Sequence, residues 1–346
     1  MNKRLNRRNV LRSSSKLAAL ALAGAATQPA LVLTSGSRQA GTEPPPAPLA
    51  QVTTDFVNVR RAPSARAALV DVLLRDAIMP LTEQVAGQAL KPNNPIWYRT
   101  NLGFVYSDFV RPITPTKNIP DPTRAFNWLW GEITVPYTDA RLRPDLEAGL
   151  YLRLYYTGVF RVIGAVQDTA GRWWYRLQEG AGYGPGPYAL AEDIRLIDPA
   201  ELTPLSPEVS DKRIEIHLAA RTLLAYENNK PVMRCCVSLG NGNFGAPIGR
   251  HTVLVKYPTA RLIGGEGANR YDLPGIGFLT FLSWDGVAIH TAYWHNDSAR
   301  PRRRGCLNVP AWAAKWIWRW TVPPAPYASA GYITPSGVIG TPVIIS

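Results

Sequence analysis

The sequence predicts a mainly β protein: two small strand-rich modules, then a larger strand-rich C-terminal part with one helix. Three observations carry that expectation. Proline (31) and glycine (28) are frequent while only 18% of the 346 residues are charged, a composition that punctuates a chain with turns and disfavours long helices. Apolar and polar residues alternate in many short runs, the period of half-buried strands. A helical period occurs in one place, residues 310–320. With 46% hydrophobic residues the chain is too apolar for a disordered tail, and its length fits two or three domains.

The N-terminus reads as an address. The first forty residues hold Lys3, Arg4, Arg7, Arg8, Arg12, Lys16 and Arg38 and no acid, so the net charge of +13 falls to +6 for the rest. Asn6-Arg7-Arg8-Asn9-Val10-Leu11-Arg12 precedes an Ala/Leu run over 17–26, about half the span of a membrane helix. The paired arginine before a short apolar segment resembles a twin-arginine export signal, which implies a protein of the cell envelope, periplasmic or otherwise extracytoplasmic, with no integral membrane span after signal removal. Residues 1–40 are assigned to this signal and the start of a linker, and 41–51 to the Pro-rich linker proper. Beyond it the basic residues are scattered, apart from Arg300 and Arg302-Arg303-Arg304, which argues against a nucleic-acid partner and fits an anionic polymer such as cell wall.

Two modules follow, 52–113 and 126–197, and they share an ending. The first has Trp97-Tyr98-Arg99-Thr100 and then Gly103-Phe104-Val105-Tyr106-Ser107-Asp108-Phe109-Val110-Arg111-Pro112. The second has Trp174-Tyr175-Arg176-Leu177 and then Gly186-Pro187-Tyr188-Ala189-Leu190-Ala191-Glu192-Asp193-Ile194-Arg195. Alternating runs around them (Phe56-Val57-Asn58-Val59-Arg60; Val159-Phe160-Arg161-Val162-Ile163) are those of small barrels or sandwiches. The Asn58-Val59-Arg60 opening and the Trp-Tyr-Arg closing resemble bacterial SH3-like domains, which implies wall binding or targeting. The second copy is divergent, with an insertion near 183–187. Trp173 or Tyr155-Tyr156 could stack on sugars, although packing is the commoner use of aromatics in small barrels.

From Lys212 the period-two signal sharpens. Ile214, Ile216 and Leu218 alternate with Arg213, Glu215 and His217. Glu227-Asn228-Asn229-Lys230 reads as a hairpin turn, 251–257 as a strand-like run, Gly264-Gly265-Glu266-Gly267 as a turn, and 277–283 with 286–290 as a strand pair. Pro310 suits the first turn of the helix. Trp312, Trp316 and Trp320 recur every four residues and are expected to pack as its buried face.

The chemistry lies between those strands and the helix. His290 closes a strand, and Cys306 follows in Arg303-Arg304-Gly305-Cys306-Leu307-Asn308. A thiol of ordinary pKa, about 8.5, is only a few per cent ionised at neutral pH, so it needs an imidazole to take its proton. Three cysteines provide no disulfide framework and no four-cysteine metal site. Cys235 and Cys236, adjacent on a strand, face opposite ways. His217 and His251 read as ordinary strand residues, and four scattered histidines signal no metal; no cofactor is expected.

Ile289-His290-Thr291-Ala292-Tyr293-Trp294-His295-Asn296, followed by Gly305-Cys306-Leu307-Asn308-Val309-Pro310 and Ala314-Lys315-Trp316, closely resembles the L,D-transpeptidase (YkuD-type) catalytic domain. The resemblance extends through Val237-Ser238-Leu239-Gly240, Pro247-Ile248-Gly249 and Gly340-Thr341-Pro342-Val343-Ile344 and covers 212–346. It implies a β-sandwich-like fold and an acyltransferase acting on peptidoglycan stem peptides, with a wall-attached protein as a possible acceptor. Cys306 is then the nucleophile and His290 the proton donor and acceptor. Thr291, Gly305, Asn308 and Arg304 support them, and Tyr293, Trp294 and His295 contact substrate, His295 being a reserve base. Where the family has Ser/Thr-His-Gly-Cys, this chain has Arg303-Arg304-Gly305-Cys306. Arg304 could favour the thiolate and attract anionic peptides, or it could obstruct the pocket and leave a silent wall-binding protein. An L,D-carboxypeptidase, with water as acceptor, is a further alternative.

Overall fold

The computed structural model describes residues 48–346 except 92–93, 179–185, 240–247, 265, 268–269 and 293–305. The expected export signal therefore lies outside the described residues, as do most of the linker, most of the insertion near 183–187 and the glycine-rich loop from Gly240. No helix among the described residues is long and apolar enough to cross a membrane.

The first seven strands are β1 (Leu49–Val52), β2 (Phe56–Arg60), β3 (Leu69–Leu74), β4 (Ile78–Lys91), β5 (Asn94–Thr100), β6 (Phe104–Tyr106) and β7 (Val110–Ile113). The Pro-rich segment thus gives way to a strand at Leu49, inside the span expected as linker. Ala50 and Val52 are fully buried there, and β1 lies between β4 and β7. The next seven are β8 (Leu129–Ile133), β9 (Tyr137–Arg141), β10 (Leu150–Tyr155), β11 (Val159–Gln167), β12 (Trp173–Gln178), β13 (Tyr188–Leu190) and β14 (Ile194–Ile197).

The sheet orders are β3-β2-β6-β5-β4-β1-β7 and β10-β9-β13-β12-β11-β8-β14. Adding seven to each member of the first gives the second, so the shared endings in the sequence mark a repeat of the whole topology. In both copies one 3₁₀ turn, Ser107–Phe109 or Ala191–Asp193, precedes the last strand. In both the first tryptophan-tyrosine-arginine tryptophan, Trp97 or Trp174, is buried with its indole N–H satisfied, by the Gln88 carbonyl at 2.8 Å and by Asp168 Oδ2 at 2.9 Å. Burying that ring without a partner for its N–H would forfeit a hydrogen bond. Trp173 is half-buried and packs on the second core. The Tyr155 hydroxyl donates to Asp76 at 3.2 Å and the Tyr156 ring lies 5.5 Å from the Arg111 guanidinium, so both tyrosines are engaged between the two repeats.

The C-terminal part contains β15 (Lys212–His217), β16 (Thr222–Glu227), β17 (Lys230–Cys236), β18 (Ser238–Leu239), β19 (Gly249–Thr252), β20 (Val255–Gly264), β21 (Tyr271–Phe281), β22 (Ala288–Thr291), β23 (Leu307–Val309), the helix α1 (Ala311–Trp320), β24 (Tyr332–Ile333) and β25 (Pro342–Ile345). They form a five-stranded sheet, β17-β16-β15-β25-β19, and a six-stranded one, β18-β23-β22-β21-β20-β24. Ile214, Ile216, Leu223 and Val343 of the first share one buried cluster with Phe278, Ile289 and Leu307 of the second and with Ala313, Ile317 and Trp318 of α1. The β16–β17 turn uses Asn228 and Asn229 at φ 47° and 62°, the left-handed pair that a two-residue hairpin requires.

Two expectations differ from what is observed. The run 251–257 is not one strand: β19 ends at Thr252 in one sheet and β20 begins at Val255 in the other, with Val253 buried at the crossing. The tryptophan stripe does not form the buried face of α1 either. Ala313, Ala314, Ile317, Trp318 and Trp320 are buried, whereas Trp312 is 57% exposed. Steps of four residues drift about 40° round a helix, so the stripe starts on the solvent side at Trp312 and turns into the core only at Trp320, which stacks with Trp316 at 5.0 Å.

Candidate active site

The strands β22 and β23 run parallel, with Ile289 beside Leu307, His290 beside Asn308 and Thr291 beside Val309. Side chains alternate across a sheet. Ile289 and Leu307 point into the sandwich core, so His290 and Asn308 share the opposite face. Continuing the alternation back one step from β23 brings Cys306 to that face too. The Cys306 thiol donates to the Gly286 carbonyl at 3.5 Å, beside the start of β22. Two short segments fifteen or more positions apart thus come together: His290 and Thr291 on β22, and Cys306 and Asn308 just before and on β23. Gly305, Arg304, Tyr293, Trp294 and His295 lie outside the described residues.

His290 is 1% exposed. Its Nδ1 lies 2.7 Å from the Thr291 carbonyl oxygen. A carbonyl only accepts, so Nδ1 carries the proton and the lone pair of the neutral ring sits on Nε2. Burial disfavours the charged ring more than the Thr291 carbonyl favours it, and the pKa is pushed down to about 4. At neutral pH the side chain is an uncharged imidazole with a fixed tautomer. Such a group can accept a proton.

The remaining candidates are elsewhere. His217, exposed on β15, has Nδ1 3.1 Å from Ser346 Oγ, and His251 lies on β19; both belong to the five-stranded sheet, away from the strand of His290. No disulfide joins the three cysteines. Cys235 is buried in the core, which pushes its thiol up to about 12, with Cys236 adding to the shift, while Cys236 itself is exposed on the other face. Among the described residues no group of three His, Cys, Asp or Glu could hold a metal.

Two functional supports escape a sequence reading. Lys256, fully buried, donates from Nζ to the carbonyls of Trp318 (2.9 Å) and Thr321 (2.5 Å). Lys212 donates to Leu205 (2.9 Å) and Trp320 (3.0 Å). Both ammonium groups close the C-terminal carbonyls of α1, where cations are favoured, and so fix the helix that follows Cys306. Burial, reinforced by the charge of Lys212, pushes Lys256 down to about 7. Lys212 has the parity of Ile214 and Ile216, a signal of its inward direction; Lys256 carries no comparable one.

Residues 211–345 match the family model of the YkuD L,D-transpeptidase catalytic domain. No curated protein matches the chain. Among solved structures, a mutant L,D-transpeptidase of Enterococcus faecium is 23% identical over 40% of this chain and 51% of its own, with a TM-score of 0.28. L,D-transpeptidase 1 of Mycobacterium tuberculosis is 18% identical over 49% and 70%, TM-score 0.29. An L,D-transpeptidase from Mycobacterium smegmatis is 15% identical over 78% and 99%, TM-score 0.31. The chain spans about half the length of the Enterococcus protein. On the strength of the family match, residues 211–345 are a YkuD-type L,D-transpeptidase catalytic domain, preceded in this chain by two strand-rich repeats.

Proposed function

We propose that the chain is an exported cysteine L,D-transpeptidase acting on peptidoglycan stem peptides. The observation that carries this reading is the β22–β23 pairing, which supports a neutral, tautomer-fixed His290 and a thiol at Cys306 on one face. Nε2 of His290 takes the Cys306 proton as sulfur attacks the carbonyl that precedes the terminal D-alanine of a stem. The imidazolium then returns the proton to the departing D-alanine amine, leaving a thioester. The amine of a second stem, or of a wall-attached protein, attacks the thioester. Its proton passes through His290 to the sulfur, and the thiol is restored. The family resemblance assigns the oxyanion contacts to main-chain N–H groups at Gly305 and Cys306, a contribution of about 3 kcal/mol for each such donor. Arg304 would favour the thiolate and draw in anionic stems; Tyr293, Trp294 and His295 would line the substrate.

Residues 52–113 and 126–197 are proposed as SH3-like modules that hold the enzyme to the wall, and residues 1–40 as its twin-arginine export signal. Wall digests from a strain expressing the full chain test the whole reading. New crosslinks between third residues of two stems, absent with Cys306→Ala, are the expected result. Stems shortened without crosslinks would make the protein an L,D-carboxypeptidase, and digests unchanged by the chain would leave a wall-binding protein.

A further inference from the structure

A groove of about 550 Å³ opens beside the catalytic strands and has on its wall a thiol, Cys236, that the mechanism above does not use. The walls come from all three parts of the chain: Arg111 of the first repeat, Tyr156 of the second, and Cys236, Asn308, Pro310 and Trp312 of the catalytic domain.

Cys236 has no disulfide partner within reach. Cys235 is buried in the core while Cys236 is exposed, and side chains adjacent on a strand point apart. Toward Cys306 the register decides. Ser238 of β18 pairs antiparallel with Asn308 of β23, so Cys236 and Cys306, each two residues earlier in its own segment, lie on opposite sides of that pair. The two steps on each side place them about 13 Å apart along the strands, and a disulfide needs α-carbons within about 7 Å. The exposed thiol is left to a partner from solution.

The groove around it favours a particular partner. Asn308 is 6% exposed, and its Oδ1 is buried with no hydrogen-bond partner among the described residues. Leaving such an acceptor unsatisfied costs about 1–3 kcal/mol, so an occupant that brings an N–H gains by it. At the start of α1, Pro310 supplies no side-chain cap and the first turn has no acidic residue. That end of the wall suits a carboxylate. Trp312 adds an exposed flat surface.

An amide N–H, a carboxylate and a displaceable sulfur together describe a small peptide disulfide, of which oxidised glutathione is an example. Cystamine carries the same sulfur pair with neither amide nor carboxylate. We infer that Cys236 is a modification site for a peptide disulfide of low molecular weight, whose peptide part lies in the groove with an amide on Asn308 Oδ1 and a carboxylate at the start of α1. The Cys236 thiolate attacks one sulfur of the disulfide. A bond forms from Cys236 Sγ to that sulfur as the original S–S bond breaks, and the departing thiolate takes up the proton that Cys236 released. Oxidation of Cys236 is matched by reduction of the departing half, so the disulfide itself is the only oxidant. Exchange needs access and a thiolate fraction, with no acyl group and no base such as His290. The inference goes beyond the transpeptidase reading and takes from it only export, to a compartment where disulfides persist.

The test uses the full chain carrying Cys306→Ala, treated with oxidised glutathione or with cystamine and quenched in acid. Peptide masses give the rate at Cys236 for each reagent, and the same rates in the urea-unfolded chain give their intrinsic ratio. Relative to that ratio, the folded chain is expected to prefer glutathione about tenfold, as a charge-assisted contact would give. Asn308→Ala and Trp312→Ala should each lower the preference about threefold. The tetraester of oxidised glutathione, which keeps the amides and loses the carboxylates, should lose most of it. Equal ratios in the folded and unfolded chains overturn the inference, as does a folded chain whose Cys236 does not react. So does a preference that survives both substitutions in chains of unchanged melting temperature. If those variants do not fold, an ester as fast as the free acid overturns it instead. Because Cys306→Ala removes the nucleophile, none of these results depends on crosslinking, and absence of crosslinks in wall digests would leave the modification site standing.

Discussion

The two repeats have one strand order and two modes of attachment. The first keeps its apolar core to itself: Ala50, Val52, Val57, Val59, Met79, Val105 and Val110 pack together. It meets the second repeat through polar contacts, with Asp76 accepting from Arg153 and Tyr155 at 3.2 Å each and Arg111 donating to the Tyr156 carbonyl. The second repeat is different. Trp130, Val159 and Ile197 belong to the same buried cluster as the transpeptidase sandwich. The Trp130 indole donates to the Tyr327 carbonyl at 3.0 Å, the Tyr327 hydroxyl to the Ile197 carbonyl at 3.1 Å, and the Thr259 hydroxyl to the Val159 carbonyl. Buried apolar area makes the second repeat part of the catalytic body. Partly exposed ion pairs contribute far less. Equal topology therefore does not mean equal role: one copy is a foundation and the other a tethered wall of the groove.

The largest effect that sharpens this contrast is expected from Trp130→Ala, at about 3–5 kcal/mol, the usual cost of removing a buried indole. Calorimetry should show the second repeat and the catalytic domain melting together at a lower temperature; loss of the repeat alone would break the comparison. Next comes a pH effect confined to the catalytic half. The folded pKa of His290 is depressed to about 4, so between roughly pH 6.5 and 4 the unfolded chain binds the extra proton. The His290 contribution should be full above that window and fall through it by up to about 3 kcal/mol, and His290→Gln should flatten the slope there. Gly275→Ala follows, at roughly 2–3 kcal/mol. Gly275 has φ 68°, and an added Cβ would lie 2.3 Å from the Phe160 ring of the second repeat, so the cost falls on the cemented interface. The smallest effect, about 0.5–1 kcal/mol, is expected for Asp76→Asn. Asparagine tolerates the φ of 68° found there, so the substitution tests the charge alone, read as an earlier melting of the first repeat.

Much of this was legible in the sequence because local physics dictated it. The Asn228-Asn229 hairpin, the helix behind Pro310 and the repeated Trp-Tyr-Arg endings each follow from a backbone preference or a short periodicity. What escaped depended on contacts across the fold. Trp312 shares the spacing of Trp316 and Trp320, yet four-residue steps drift round a helix, so one stripe starts in solvent and ends in the core. Lys256 reads as one more surface cation, because its partners are carbonyls more than sixty positions away. The switch of sheets between Thr252 and Val255 interrupts neither the apolar pattern nor the β propensity. Arg111 stands in the repeated ending and Tyr156 in the Tyr155-Tyr156 pair, yet neither pattern signals a place near Asn308; only the fold brings the three to one groove.

The three thiols permit the most direct test of the central claim. Purified chain, mixed with a tetrapeptide stem and quenched in acid, would be digested and weighed peptide by peptide. A tripeptidyl acyl group on Cys306, with one D-alanine released per adduct, is the expected result; His290→Gln should suppress it, and the exposed Cys236 should remain unmodified. A folded chain whose Cys306 stays bare, or whose adduct sits on Cys236, would contradict the account.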